Sequence, residues 1–140
     1  MSRLTRRNFV KGTVTAGAVM AAASYARVLG ANDDIRLAVV GIRSRGHHHV
    51  KWFDGIAGAR VTALCDVDSR VLEREKEHLK KKSKDREVAT YADYRKLLED
   101  KDIDAVVSAT PNHWHSLVSV LACQAGKDVY IEKPVSHNIW

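Results

Sequence analysis

From Ile35 onward the chain alternates between short apolar runs and longer stretches in which apolar residues return every third or fourth position. Ile35 to Val40 reads Ile-Arg-Leu-Ala-Val-Val, the pattern of a strand covered on both faces. A glycine turn at Gly41 follows. Val50, Phe53, Ile56 and Ala57 then recur at helical spacing, predicting a helix from Arg45 to Ala57 closed by Gly58. Arg60 to Cys65 reads as a second strand. Ser69 to Lys82 reads as a charged surface helix capped by Asp68 or Ser69, with Val71, Leu72 and Leu79 as its sparse apolar positions. A short strand at Val88–Thr90 precedes a brief helix, Asp93–Leu98, that turns Tyr94, Leu97 and Leu98 inward. Ile103–Ala109 is the fourth strand. Pro111–Ala125 is the last helix, with Leu117, Val120, Leu121 and Ala125 on one face and Gly126 as its stop, and Asp128–Ile131 is the fifth strand. Strand and helix alternate at lengths that suit right-handed crossovers, so the fold class is α/β with a parallel sheet and flanking helices.

The front of the chain has a different pattern. Thr5-Arg6-Arg7-Asn8-Phe9-Val10-Lys11 is followed by an uncharged stretch of small and apolar residues, Gly12 to Ala23. This is the anatomy of an export signal, and the run is too short and too weakly apolar for a transmembrane helix. The paired arginines, with Phe9 and Lys11 behind them, resemble the twin-arginine signal. Residues 1–31 are therefore read as that signal, with small residues at Ser24-Tyr25-Ala26 and at Leu29-Gly30-Ala31 leaving two cleavage positions open. Residues 32–140 are read as the folded domain, exported to the periplasm, with membrane contact only through the signal.

This division changes the meaning of the charge. The formal net charge is +6, but Arg3, Arg6, Arg7, Lys11 and Arg27 all lie before Asp33, leaving 18 Lys and Arg against 17 Asp and Glu. The remaining basic block, Lys80, Lys81, Lys82 and Lys84, follows Glu73, Glu75 and Glu77 and has no interleaved aromatics. It reads as a solvated helix end, and no nucleic-acid partner is expected. Cys65 closes an apolar strand and Cys123 lies in an apolar helical run, so both read as buried free thiols. No Cys/His cluster suggests a metal.

Open parallel sheets bind ligands at the carboxyl ends of their strands. After the first strand stands Gly41-Ile42-Arg43-Ser44-Arg45-Gly46, which matches the dinucleotide fingerprint G-x-G-x-x-G except at its second glycine, replaced by Arg43. Two readings stay open. Arg43 swings aside and pairs with the pyrophosphate while the helix N-terminus supplies N–H groups, or the loop is remodelled and affinity falls. Asp66, 25 residues beyond Gly41 at the end of the second strand, is placed to accept hydrogen bonds from the adenosine ribose, which favours NAD over NADP. Its structural alternative is a helix cap, a task that Asp68 serves equally well. Together these features make the sheet Rossmann-type.

Thr110-Pro111-Asn112-His113-Trp114-His115 follows the fourth strand and Glu132-Lys133-Pro134 the fifth. The run from Ile103 to Pro134 resembles the Gfo/Idh/MocA oxidoreductases, and the resemblance covers nearly the whole chain behind the signal. It implies that Thr110, Pro111 and Asn112 line the cofactor cleft, that His115 lies near the cofactor, that Glu132 contacts the nicotinamide ribose, and that Lys133 acts on the substrate oxygen as the catalytic residue. An ammonium beside a developing alkoxide would stabilise it. Pro134 would fix the backbone that aims Lys133.

His47, His48 and His49 are consecutive on a helix and point about 100° apart, which excludes a shared metal within one chain; they read as a solvated or phosphate-facing helix start. Trp52 and Trp114 read as packing residues rather than stacking platforms. Relatives of this family continue into a second domain that carries the substrate pocket and oligomer interface, whereas this sequence stops six residues after Glu-Lys-Pro. The expectation is a truncated chain that binds a dinucleotide but does not turn over alone, its sugar or polyol substrate and homo-oligomer interface depending on the second domain. A glycoside hydrolase of the same family using bound NAD and a non-catalytic nucleotide-binding scaffold are the alternatives.

Overall fold

The computed structural model describes residues 34–82 and 86–138. The signal reading of residues 1–31, and Lys84, lie outside them. Five parallel strands alternate with four helices: β1 (Ile35–Val40), α1 (Arg45–Phe53), β2 (Ala59–Cys65), α2 (Ser69–Lys82), β3 (Ala89–Tyr91), α3 (Tyr94–Leu98), β4 (Ala105–Ser108), α4 (Asn112–Gln124) and β5 (Asp128–Ile131). The sheet order is β3-β2-β1-β4-β5. Chain direction across the sheet thus reverses at β1, between β2 on one side and β4 on the other. That reversal opens the crevice in which doubly wound sheets bind ligands.

Residues alternate across the sheet as the pleat demands. Leu37, Val39, Val61, Leu64 and Val107 face one way and pack against Val50 of α1 and Val71, Leu72 and Leu79 of α2. Ala38, Val40, Ala63, Cys65 and Val106 face the other way, toward Leu97 of α3 and Val118 and Ala122 of α4. A bulge between Leu37 and Ala38 shifts the pairing with β2, so that Leu37 stands opposite Val61 and Ala38 opposite Ala63. Beyond it the strand ends are level: Val40 pairs with both Cys65 and Ser108, Cys65 with Tyr91, and Ser108 with Ile131.

Three expectations are corrected. The first helix ends at Phe53 rather than Ala57, because Asp54 caps it. Ile56 and Ala57 lie exposed in a turn that reaches β2 through Gly58 at φ +81°. Asp54 is held there by Lys82 at 3.1 Å and Arg86 at 2.5 Å. The inward face of α4 is His115, Val118 and Ala122, not the face predicted: Leu117 and Val120 are 45% and 52% exposed, and Ala125 is exposed too. Cys123 shares that outer face and is exposed, whereas Cys65 is buried as expected.

Candidate dinucleotide site

Four backbone hydrogen bonds extend the parallel ladder one residue past the strands. Gly41 N–H donates to Cys65 C=O (2.8 Å), Asp66 to Tyr91 (3.2 Å), Ala109 to Val40 (2.9 Å) and Glu132 to Ser108 (3.1 Å). The residues singled out at the strand ends therefore emerge in one row along the carboxyl edge of the sheet.

The loop after β1 shows why two of its glycines are required. Gly41 has φ +77°, and a Cβ there would stand 2.9 Å from Thr110 N and 3.0 Å from Ala109 O, so the end of β1 lies directly against the end of β4. A Cβ on Gly46 would fall 1.8 Å from the Gly41 carbonyl oxygen. Helix α1 can start this close to β1 only without a side chain at that position. Ser44 precedes it at φ 37° and supplies no side-chain cap. Among the described residues, the N–H groups of Arg43, Ser44 and Arg45 find no backbone acceptor. A helix N-terminus in this state is built to receive an anion.

Arg43 does not reach over that N-terminus. Its side chain, 70% exposed, lies toward the end of β2 and pairs with Asp68 at 3.2 Å. Ile42 is buried in the core, and its N–H donates to Asp66 Oδ2 at 3.0 Å, so it anchors Asp66 and has no N–H left for a ligand. Asp66 Oδ1 accepts from Asp68 N–H at 3.0 Å. Asp68 caps α2, its Oδ1 accepting from Arg70 N–H at 3.0 Å, and the Arg70 side chain holds the Asp68 carboxyl down at about 2. Each Asp66 oxygen carries one intramolecular bond, and a carboxylate has room for about four.

Between the ends of β1 and β2, the loop into α3 and the start of α4 lies a mainly apolar cleft of about 690 Å³, within the range of small-molecule sites. Gly41, Asp66, Thr110 and Pro111 line it, as do Tyr94 and Trp114. The indole of Trp114 is partly exposed and meets Tyr94 edge to face at 6.1 Å, so it forms a cleft wall rather than the packing residue expected. Cys65 also faces the cleft. Burial, reinforced by Asp66 and Asp93, pushes its thiol up to about 12, which leaves it inert as a nucleophile. Asn112 opens α4, exposed and outside the cleft lining.

His115 is corrected from a cofactor contact to a buried tie. Its Nδ1 lies 2.6 Å from the Pro134 carbonyl and its Nε2 2.7 Å from the Thr110 carbonyl, joining the loop after β4 to the loop after β5. Both nitrogens are occupied, so neither is available to a ligand. The Lys133–Pro134 bond is cis, and Lys133 is exposed.

Arg45, read as part of the cofactor-binding loop, turns its side chain toward the end of β5. Its Nε donates to Glu132 Oε1 at 2.6 Å, and its guanidinium lies 4.9 Å over the Trp52 ring. The Arg45 hydrogen bond holds the Glu132 carboxyl below its ordinary value, with His49 adding to the effect. His49 is completely buried, not solvated as expected of the histidine run, and His47 is half-buried against Glu75 at 2.7 Å. Only His48 is exposed. The sequence did carry a signal for this arrangement: Arg45 and His49 are four apart on α1 and so share a face.

The family profile described as "Oxidoreductase family, NAD-binding Rossmann fold" matches residues 35–139. A glycosyl hydrolase family 109 protein of Shewanella sp. (strain ANA-3) is 34% identical over an alignment covering 99% of this chain and 35% of that protein. Another from Shewanella baltica (strain OS185) is 31% identical with the same coverage. Among solved structures, scyllo-inositol dehydrogenase from Lactobacillus casei with bound NAD(H) and scyllo-inositol superposes at TM-score 0.69, with 27% identity over 76% of this chain and 30% of that one. Myo-inositol 2-dehydrogenase from Lactobacillus plantarum superposes at TM-score 0.68 with 28% identity and the same coverage. The chain thus spans about a third of the length of the relatives it matches. With its parallel sheet, its glycine cradle and its row of strand-end residues, the chain belongs to the Gfo/Idh/MocA oxidoreductase family, through that family's NAD-binding Rossmann domain.

Proposed function

We propose that residues 32–140 bind NAD as the cofactor half of an exported oxidoreductase acting on a sugar or polyol derivative. The observation that carries this reading is the fit of the strand-end row to a dinucleotide. The Gly41–Gly46 cradle leaves loop N–H groups free for the pyrophosphate, and Asp66 is held by Ile42 with lone pairs left for the adenosine ribose. The apolar cleft walled by Tyr94 and Trp114 suits the adenine ring. In this reading Glu132, fixed by Arg45, takes the nicotinamide ribose, and Lys133, exposed beside it, takes the substrate oxygen. Bound NAD would supply a hydride acceptor. The chain's own residues bind and orient it, and the Lys133 ammonium stabilises negative charge developing on the substrate oxygen.

Isothermal titration with NAD+ and NADP+ tests the reading. NAD+ should bind more tightly, because the Asp66 carboxylate repels a 2′-phosphate, and Asp66→Ala should weaken NAD+ binding by about 1–3 kcal/mol. An unmodified chain that binds neither nucleotide would overturn the proposal and favour a scaffold. The NAD-using glycoside hydrolase reading is favoured by the names of the Shewanella relatives. Assays on a full-length relative separate the two, because the hydrolase produces no net NADH. Residues 1–31 are proposed to direct twin-arginine export. Fused to a reporter, they should carry it to the periplasm, and replacing Arg6 and Arg7 by Lys should stop that transport.

A further inference from the structure

The imidazole of His49 is buried behind Glu132. It lies on α1 against Trp52, Phe53 and Tyr130, with ring centroids 5.7, 5.9 and 5.5 Å away. The side chain is 1% exposed, yet neither ring nitrogen makes an aligned hydrogen bond. A buried polar group left in that state is costly, and in an apolar pocket of this kind a phenylalanine would avoid the cost. Nε2 nevertheless lies 2.7 Å from Glu132 Oε1, close enough for a bond though not aligned for one.

The same carboxylate oxygen accepts from Arg45 Nε at 2.6 Å. The Arg45 donor and the His49 imidazole, one helical turn apart on α1, therefore both lie against Oε1. No described residue hydrogen-bonds to Oε2. Glu132 is 15% exposed, with its bound oxygen toward α1 and its other oxygen left for a ligand. The charged and titratable groups facing this unit are Arg45 and His49 from α1, with Tyr130 from β5 edge-on to the imidazole. Exposed Lys133 adjoins Glu132 along the chain.

The geometry points to His49 as a positioning residue, which with Arg45 holds Glu132 Oε1 from behind and so presents Oε2 to the cofactor. The inference rests on the reading of Glu132 as a contact to the nicotinamide ribose. His49 itself touches neither cofactor nor substrate. Its burial separates the two contributions. Arg45 is half exposed and supplies charge in contact with water, whereas His49 supplies a polar wall that cannot move without disturbing Trp52, Phe53 and Tyr130.

The test is a double-mutant cycle on the full chain, read by NAD+ titration, with melting curves to confirm folding. His49→Phe keeps the packing and removes the nitrogens, and should weaken NAD+ binding about tenfold. His49→Gln restores a donor and should return affinity to within about threefold of the unmodified chain. In a Glu132→Gln background, His49→Phe should cost less than about twofold, because the charge it positions is gone. Equal losses in both backgrounds, or unchanged affinity in His49→Phe, would overturn the inference. If His49→Phe fails to fold, His49→Met takes its place with the same expectations.

A second measurement does not depend on NAD. The Glu132 carboxyl, followed by 13C NMR as pH is lowered, should titrate at higher pH in His49→Phe than in the unmodified chain; no movement overturns the inference. A chain that binds no NAD+ but shows this movement refutes the cofactor reading and leaves His49 as the group that sets Glu132.

Discussion

At the scale of single residues, Gly46 is the position where the sequence is least negotiable. Its absent Cβ would lie 1.8 Å from a backbone oxygen that cannot move without shifting β1, so Gly46→Ala forces α1 away from the sheet. It should cost at least about 2–3 kcal/mol in urea unfolding and abolish nucleotide binding. Gly55→Ala serves as control: its Cβ would meet only Lys51 and Trp52 carbonyls at 3.4 Å, and stability should change by less than about 1 kcal/mol. The two cysteines divide as sharply. In the native chain iodoacetamide should label exposed Cys123 and spare Cys65, and mass spectrometry of the digest would show it; equal labelling would contradict the burial of Cys65. Gly41, Gly46 and Asp66 were legible because each answers a demand of the backbone or of a strand end that sequence position alone expresses. Arg43, Arg45 and the histidines were not. Where a long side chain points depends on which distant carboxylate it finds, and Asp68 and Glu132 lie 25 and 87 positions away.

Among elements, the strands and α2 were read nearly to the residue, since β1, β2 and β5 are apolar runs set off by Gly41, Gly58 and Gly126, and α2 starts at its Asp68 cap. The face of α4 was misread. Leu117, Val120 and Leu121 are its larger aliphatic residues, but the sheet beneath already presents Val106 and Val129, and the space left takes Val118, Ala122 and the His115 ring instead. Val118→Ala should therefore cost about 2 kcal/mol, while Val120→Thr changes stability by less than about 0.5 kcal/mol. Chemical unfolding of both variants checks this, and the reverse order would restore the predicted face. The early end of α1 has an electrostatic reason that no periodicity reveals. Burial pushes the Asp54 carboxyl up, but Arg86 and Lys82 outweigh it and hold the group below its ordinary value. A carboxyl depressed in the folded state contributes stability that is present above its unfolded pKa and lost as pH falls through the folded one. Asp54→Asn should thus destabilise the chain by about 3 kcal/mol near neutral pH, with the gap from the unmodified chain narrowing below about pH 4. Urea titrations at the two pH values measure it.

For the whole molecule, binding and folding are linked, because the groups proposed to hold NAD are kept in place by ties between the strand ends. Ile42 connects the β1 loop to Asp66, His115 connects Thr110 to Pro134, and Arg45 connects α1 to Glu132. An unfolded chain has no row of strand ends, so NAD stabilises only the folded form. At about one hundred times its dissociation constant it should add about 2.7 kcal/mol. For a domain of this size each kcal/mol raises the melting temperature by about 4–8 °C, so saturating NAD+ should raise it by on the order of 10–20 °C. In Asp66→Ala the same NAD+ concentration should give a clearly smaller rise, because the affinity lost is taken almost directly off the stabilisation that NAD+ adds. In Gly46→Ala the rise should vanish, because the cradle itself is gone. A thermal shift as large in Gly46→Ala as in the unmodified chain would mean that the nucleotide binds elsewhere, and that the level row of strand ends from Gly41 to Glu132 is architecture without a ligand.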